Sequence, residues 1–357
     1  MRVLQLIDSL EPGGAERVAV NMANALVSRV DRSYLCTTRK EGDLKGLLKD
    51  EVGYLFLEKQ FVLDANAVLR LHRFIKQEAI DIIHVHASSF FLATLVKFVN
   101  NSIKIVWHDH YGNSEFLDLR RTPTLKFCSG YFSHIISVNN RLVNWAKENL
   151  KVKEVEYLPN FAVLDKSAGQ KTELKGEPGK RIICLANLRP QKDHLNLLKA
   201  FKWVVNKYPL WTLHLVGKDE NDAYSEELKD YIGDHNLENN VFIYGSRNDT
   251  DNILSQCDIG VLASRSEGLP LSLLEYGLSG LACVVTDVGQ CAEVVLNGQI
   301  GNIVPANDDA TLSKAISHYI AHSSLRQEHA MLFKWHVEHT YSEEVITDKI
   351  TTIYNRL

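Results

Sequence analysis

Short apolar runs alternate along the chain with segments whose apolar residues recur every three or four positions. Residues 3–7, 34–38, 54–57, 80–85, 103–107 and 134–138 are short and apolar, the pattern of strands buried on both faces. Between them, residues 15–30, 65–78, 88–99 and 139–150 carry the helical period, and in the second of these Val68, Leu71 and Ile75 share one face. Such alternation predicts βαβ units and a parallel sheet covered by helices, a doubly wound α/β domain.

Residues 165–180 break the rhythm: they are polar, contain Gly, Pro and Ser, and have almost nothing to bury. They are expected to link a first domain at 1–164 to a second at 181–335. The alternation restarts with strands expected at 181–188, 211–216, 241–244, 259–263 and 282–286. A helix expected behind Asp193, which would cap it, places Leu195, Leu198, Phe201 and Val205 on one stripe. The tail from residue 312 is helical in pattern, with Tyr341, Val345, Ile346, Ile350 and Ile353 as an apolar face, and 336–357 is expected as a separate C-terminal helix.

The strand expected at 259–263 runs into Ser264-Arg265-Ser266-Glu267-Gly268-Leu269-Pro270-Leu271-Ser272-Leu273-Leu274-Glu275. Pro270 suits the first position of a helix, leaving the N–H groups of Leu271 and Ser272 to point out of its positive end, where an anion is stabilised. Glu267 stands on the entry loop and Glu275 about one and a half turns into the helix. Carboxylates beside a phosphate are tolerated when they accept hydrogen bonds from hydroxyls. The pattern therefore favours a ligand that carries phosphate and polyol together, as a sugar nucleotide does.

Composition narrows the setting. The 357 residues, 45% hydrophobic, have room for about two domains with their own cores. A net charge of -4 gives no electrostatic case for nucleic acid as a partner. Six cysteines show no CxxC spacing, and the four that lie inside apolar runs are expected as small buried hydrophobes, in a reducing compartment. Gln5 and Asp8 interrupt the first apolar run before a signal-peptide core could form. No apolar run approaches the ~20 residues of a membrane span. The expectation is a soluble, cytoplasmic protein, peripheral at most.

Other polar clusters also sit at strand ends, where ligands of parallel sheets bind. Pro12-Gly13-Gly14-Ala15-Glu16 follows the first strand: its glycines admit a close phosphate or sugar oxygen, although a tight turn capped by Glu16 explains it equally. His84 and His86 end one strand and His108-Asp109-His110 another. Lacking a third ligand at helix-turn spacing, they are expected to hold no metal. One of His84 and His86 is expected to be structural, and the denser His108–His110 cluster to carry chemistry. Asn187-Leu188-Arg189-Pro190-Gln191-Lys192 brings two cations to a helix start, suited to a diphosphate or simply solvated. Tyr244-Gly245-Ser246-Arg247 and Thr286-Asp287-Val288-Gly289-Gln290 are ordinary βα turns or the edges of a nucleotide and sugar site.

Taken together these segments resemble the retaining glycosyltransferases of family 4, whose GT-B fold sets two Rossmann-like doubly wound domains across a cleft. The resemblance spans nearly the whole chain, and the pair Glu267 and Glu275, with seven residues between them, is its most specific part. It implies a nucleotide-sugar substrate, a UDP-sugar rather than a GDP-sugar, held by the C-terminal domain, and no cofactor or metal. It implies a saccharide or lipid-linked acceptor on the N-terminal domain, as in surface-polysaccharide synthesis, with peripheral contact at the inner membrane face. By this resemblance Glu275 takes the ribose and Glu267 the donor sugar. Ser266, Gly268, Leu269, Pro270 and Leu271 surround the phosphate, and Asn187, Gly245, Gly13 and Gly14 complete the donor site. Arg189 and Lys192 neutralise the departing diphosphate, His108 or His110 meets the transferred sugar, and the C-terminal helix crosses back to the first domain. Relatives often carry Gly-Arg-Leu where this chain has Ala186-Asn187-Leu188. Arg189, two residues on, would keep the same facing in an extended chain. An epimerase or hydrolase on the same fold, or a non-catalytic sugar-nucleotide-binding protein, are the alternatives.

Lys126, Arg120 and Arg121 beside Phe127 and Tyr131 offer a basic, aromatic surface for a lipid-bound acceptor, or simply a solvated helix end.

Overall fold

The structure, a computed structural model, describes residues 1–152, 154–164 and 172–357. The chain forms two compact units, Met1–Phe161 with Glu343–Leu357, and Ala162–Ser342. The first seven residues of the expected linker lie outside the described residues. Residues from Thr172 onward are tied to the second unit: the Thr172 backbone N–H and hydroxyl both donate to Asp249, and Leu174 N–H donates to Gln256.

The first unit runs β1 (Arg2–Ser9), α1 (Gly14–Leu26), β2 (Arg32–Lys40), β3 (Gly53–Phe56), α2 (Ala65–Gln77), β4 (Ile82–His86), α3 (Phe90–Val99), β5 (Lys104–Asp109), α4 (Pro123–Ser129), β6 (His134–Ser137), α5 (Asn140–Asn149) and β7 (Val155–Tyr157). Its seven strands are parallel in the order β3-β2-β1-β4-β5-β6-β7. The order reverses between β1 and β4, so the carboxyl ends there open a switch-point crevice. Two elements escaped the sequence pattern. β7 has only three residues, and α4 has too few turns to show a period.

Alternate residues of the strands feed opposite faces. Ile83, Val85 and Trp107 point into a core with α2–α5, while Val3, Ile82 and Val106 meet a core that includes Ile346, Ile350, Ile353 and Tyr354 of the C-terminal helix, Glu343–Asn355. On this second face the next inward positions along β1, β4 and β5 are Gln5, His84 and His108, all fully buried. A polar layer thus continues an apolar one, and Tyr354 of the C-terminal helix brings a hydroxyl to it.

The second unit runs β8 (Arg181–Leu185), α6 (His194–Lys207), β9 (Thr212–Val216), α7 (Ala223–Asp234), β10 (Val241–Gly245), α8 (Thr250–Leu254), β11 (Ile259–Leu262), α9 (Leu271–Ser279), β12 (Ala282–Thr286), α10 (Cys291–Val294), β13 (Asn302–Val304), α11 (Asp309–Ala321) and α12 (Ser323–Thr340). The sheet order is β10-β9-β8-β11-β12-β13, again parallel. The tail is therefore three helices. Tyr341, expected on the face of the last, instead ends α12 and is buried in the second unit. The chain leaves helical geometry there, so a face drawn through Tyr341 and Val345 spans two separate elements.

Candidate functional site

In the second unit every loop singled out from the sequence emerges at the carboxyl edge of the sheet, because all six strands run the same way. The loop after β11 is almost wholly buried, with Ser264, Ser266, Glu267, Leu269 and Leu271 each less than a tenth exposed. Pro270 is the residue before α9, extended at φ -72° and ψ 127°, rather than its first helical residue as expected. The helix N–H groups of Leu271 and Ser272 still lead the element. Gly280 closes it in the left-handed region at φ 72°.

Loops after β8 and β11 are stapled to each other. Lys192 Nζ donates to Glu267 Oε1 at 2.6 Å, and Ser264 Oγ donates to the same oxygen at 2.6 Å. Gln191 Nε2 donates to the Ser266 carbonyl at 2.8 Å, and Arg265 N–H returns a bond to the Gln191 carbonyl at 2.8 Å. Asp193 does not cap α6 through its side chain. It adopts left-handed backbone angles, φ 50° and ψ 47°, and its carboxylate accepts two 2.9 Å bonds from the Arg265 guanidinium. A fork-to-fork ion pair with a guanidinium outcompetes a single N–H at the helix start. The loop after β12 completes the wall: Gln290 N–H donates to the Gly268 carbonyl at 3.0 Å. Gly289, at φ 55°, lies so close that a Cβ there would stand 2.3 Å from the Glu267 carbonyl oxygen. Only glycine fits both the dihedral and the gap.

Lys192 and Glu267 thus meet directly, and Glu275 is buried on α9. Arg189 is different: its side chain is 55% exposed, with Nη2 3.7 Å from Glu220. The chain leading to it is not extended throughout: β8 ends at Leu185 and the backbone bends at Ala186 and Leu188. Asn187 accepts from Lys218 N–H at 2.9 Å and so braces the β9 loop. Gly245 closes β10, its carbonyl accepting from Gly217 N–H at 3.0 Å. In the first unit Gly13 precedes α1, and the Glu16 carboxylate folds over it into the space a side chain would need, while Gly14 is exposed.

The histidines of the first unit form one cluster. Parallel register sets His86 beside His108, and Gln5 beside His84. His84 Nε2 lies 3.0 Å from His108 Nδ1, His86 Nδ1 3.0 Å from His110 Nε2, and His86 Nε2 2.8 Å from Gln5 Oε1. His84 Nδ1 bonds the Tyr354 hydroxyl. Ring nitrogens of His84, His86 and His108 lie within 4.8 Å of one another, a grouping that would suit a cation. The third ligand, missing at the sequence level, comes from the neighbouring strand by register. In the structure five of the six ring nitrogens are engaged, with one another, with His110, Tyr354 and Gln5, and His108 Nε2 is buried without a hydrogen-bond partner among the described residues. Burial strips water from the rings and holds all four histidines neutral: His84 and His110 are pushed down to about 3, and His86 and His108 well below the usual range.

Asp109, between His108 and His110, is also buried and receives two guanidinium bonds from Arg120, at 2.7 and 2.8 Å. Arg120 stacks over Trp145 and Tyr111, 4.2 and 4.5 Å from their ring centroids. It therefore braces the histidine strand and does not belong to the basic surface grouped from sequence. Ser264, Gln191, the Asp193–Arg265 pair, Gln5, Tyr354 and the Asp109–Arg120 pair all shape the two clusters through contacts that the sequence did not show. Gln5 alone left a usable signal, a polar residue inside an apolar strand.

Comparison with known proteins places these features in a family. Residues 12–166 match the family model described as Glycosyltransferase Family 4, and residues 165–330 that of Glycosyl transferases group 1. The chain is 26% identical over 322 residues to UDP-Gal:alpha-D-GlcNAc-diphosphoundecaprenol alpha-1,3-galactosyltransferase of Escherichia coli, covering 83% of this chain and 81% of that one. It is 25% identical over 295 residues to N-acetyl-alpha-D-glucosaminyl L-malate synthase of Bacillus anthracis, covering 78% and 75%. Among solved structures, HepE of Anabaena in complex with UDP and glucose superposes with a TM-score of 0.85 at 19% identity, covering 99% of each chain.

Proposed function

Because this chain belongs to the GT-B glycosyltransferases of the family 4 type, we propose that it transfers a sugar, with retention, from a uridine diphosphate donor to a lipid-linked saccharide. Hexosyl transfer from a nucleotide sugar is the activity of the family. The uridine and the lipid-linked acceptor are supported by the names of the Escherichia coli relative and of the HepE complex.

The observation that carries the site assignment is the Lys192–Glu267–Ser264 cluster, built round the buried Glu267 carboxylate on the loops in front of α9. A lysine ammonium has three protons to give. One is held by Glu267, which leaves two for the oxygens of a diphosphate. Departure of that diphosphate builds negative charge, which Lys192, Arg189 and the first N–H groups of α9 stabilise without reorganising. Ser266, Gly268, Leu269, Pro270 and Leu271 shape this anion end, with Asn187 and Gly245 at its flank. Glu267 receives donor-sugar hydroxyls and Glu275 the ribose hydroxyls. His108 and His110 act on the transferred sugar as neutral hydrogen-bonding groups. Gly13 and Gly14 take a lesser part, since the folded-back Glu16 carboxylate would oppose a phosphate there.

The membrane enters through the acceptor. No described helix is long and apolar enough to cross a bilayer. Helices α2, α3 and α4, which all cover one face of the first sheet, contain Arg70, Arg73, Lys76, Lys97 and Lys126 and not a single carboxylate. Phe98 and Phe127, each 52% exposed, flank Tyr131 at ring distances of 4.9 and 5.8 Å. Cations beside exposed aromatic rings suit an anionic lipid surface.

Calorimetry with UDP and GDP tests the donor. UDP should bind more tightly, and Glu275→Ala should abolish most of that affinity; an unaltered dissociation constant would remove the ribose assignment. Incubation with radiolabelled UDP-sugars and a lipid-linked acceptor should put label in the lipid phase. Label appearing only as free sugar would overturn the acceptor reading.

A further inference from the structure

Three consecutive apolar residues between β3 and α2 stand in water: Phe61, Val62 and Leu63 are 72%, 63% and 72% exposed. The loop that carries them is nonetheless tied down at both ends. Leu57 N–H donates to the Thr37 carbonyl at 3.0 Å and Lys59 N–H to the Thr38 carbonyl at 2.7 Å, which fixes the entry to the end of β2. Glu58, between them, takes left-handed angles at φ 52°, a conformation unfavourable for any residue but glycine. At the exit the Asp64 carboxylate accepts from Ala67 N–H, capping α2, and from Gln60 N–H at 3.1 Å. An anchored loop with an apolar tip keeps surface available whose burial would be favourable.

Lys59, two residues before that tip, is by contrast only 8% exposed. Burial, and then the positive charge of Arg39, hold its ammonium below the usual lysine range, while Asp8 and Asp64 draw it back. Both of those acids are engaged elsewhere. Asp8 accepts from the Thr38 hydroxyl at 2.5 Å and the Ser88 hydroxyl at 2.7 Å, and Asp64 caps α2. Neither Lys59 nor Arg39 stands in an ion pair among the described residues. A buried lysine normally has a counter-charge, and here its neighbour is a second cation. Such a place stabilises an anion supplied from outside.

We propose that Lys59 and Arg39 seat the phosphate of the acceptor and that Phe61, Val62 and Leu63 cover the first units of its apolar chain. This rests on the reading that the acceptor is a lipid-linked saccharide. Such a molecule presents sugar, anionic link and apolar chain in that order. The carboxyl edge of the first sheet presents histidines, cations and an apolar tip in the same order. The histidine strands β4 and β5 lie two and three places from β2, about 10 to 14 Å at the spacing of neighbouring strands, which leaves room for a saccharide between them and the phosphate. A flat bilayer would meet the exposed tip without reaching the buried Lys59, so the pair of features fits a single lipid phosphate better than a membrane surface.

The probe is farnesyl diphosphate, an apolar chain on a soluble diphosphate, titrated by calorimetry into the full chain in saturating UDP, which occupies the donor's own diphosphate site. It should bind more tightly than either inorganic diphosphate or farnesol. Lys59→Met breaks no ion pair and should weaken the probe roughly tenfold or more, the worth of a charge-assisted bond, while farnesol binds as before. Phe61→Ser combined with Leu63→Ser, at exposed positions, should bring the affinity down to that of inorganic diphosphate. Circular dichroism checks folding, and the loop variant suffices if Lys59→Met does not fold. Unchanged affinity for the probe in the folded loop variant would overturn the proposal. Inorganic diphosphate bound as tightly as farnesyl diphosphate would also overturn it, as would a loop variant that loses only its binding to phosphatidylglycerol vesicles, which would make the tip a bilayer contact. The radiolabel assay separates this seat from the reading beneath it. Label that still enters the lipid phase while the probe ignores both variants overturns the seat alone. Probe binding as expected with no label in lipid keeps the seat and overturns the transfer.

Discussion

Replacing Lys192 by methionine removes an ammonium 2.6 Å from a carboxylate whose side chain is only 5% exposed. What remains is a buried Glu267 charge that keeps the Ser264 hydroxyl but has lost its cation. Breaking a buried pair from one side destabilises by about 3–5 kcal/mol. Lys192 is itself 21% exposed, so water compensates part of the loss and the expected value lies near the lower end, about 3 kcal/mol. Glu267→Gln keeps the shape and the acceptor for Ser264 and should cost about 1–2 kcal/mol. With both changes no charge is stranded, and the double variant should be more stable than Lys192→Met alone. The two units need not unfold together, so the cycle is best read by hydrogen exchange of β11 and α9 alongside thermal unfolding. UDP affinity of Lys192→Met should also fall, by roughly tenfold or more, since a charge-assisted bond is worth about 1.5–3 kcal/mol. A Lys192→Met protein within about 0.5 kcal/mol of the parent, as for an ordinary surface change, would refute the pairing as a structural element. Additive single effects would do the same.

Three further outcomes are expected. Unfolded histidines near 6.5 take up protons that His84 and His110, at about 3 in the fold, refuse. Their share of stability is therefore complete above about pH 6.5 and drains as the pH falls, by about 1 kcal/mol per pH unit for each group, visible as a falling melting temperature between pH 6.5 and 4.5; a flat profile would contradict their neutral burial. Arg120→Ala should destabilise the first unit by about 3–5 kcal/mol by stranding Asp109, and thermal unfolding checks it. Gly289→Ala forces a Cβ against the Glu267 carbonyl from a left-handed backbone and should weaken UDP binding in calorimetry by displacing Glu267, with about 1–2 kcal/mol of backbone strain as the minimum structural effect.

The amino-acid sequence by itself determined the elements that repeat: short apolar strands, amphipathic helices between them, and glycine, proline and charge concentrated where strands end. Those features depend on local periodicity and turn chemistry, and they were enough to indicate two parallel α/β units and the helix that begins after Pro270. They did not show β7 or α4, which are too short to establish a period, or the break after α12. Only the tertiary structure decided which polar groups meet. Lys192 and Glu267 are 75 positions apart, and Arg265 joins Asp193 across 72. Parallel register, a property of neighbouring strands, put His108 beside His86 and made a cluster of what read as two separate motifs. Arg120 read as a surface cation because it stands in the sequence beside Arg121 and close to Lys126. It is buried because Asp109, at the end of a central strand, has a charge that must be paired. Tyr354 sits among apolar residues of the last helix, and its hydroxyl acquires a role only because that helix packs over the strand carrying His84.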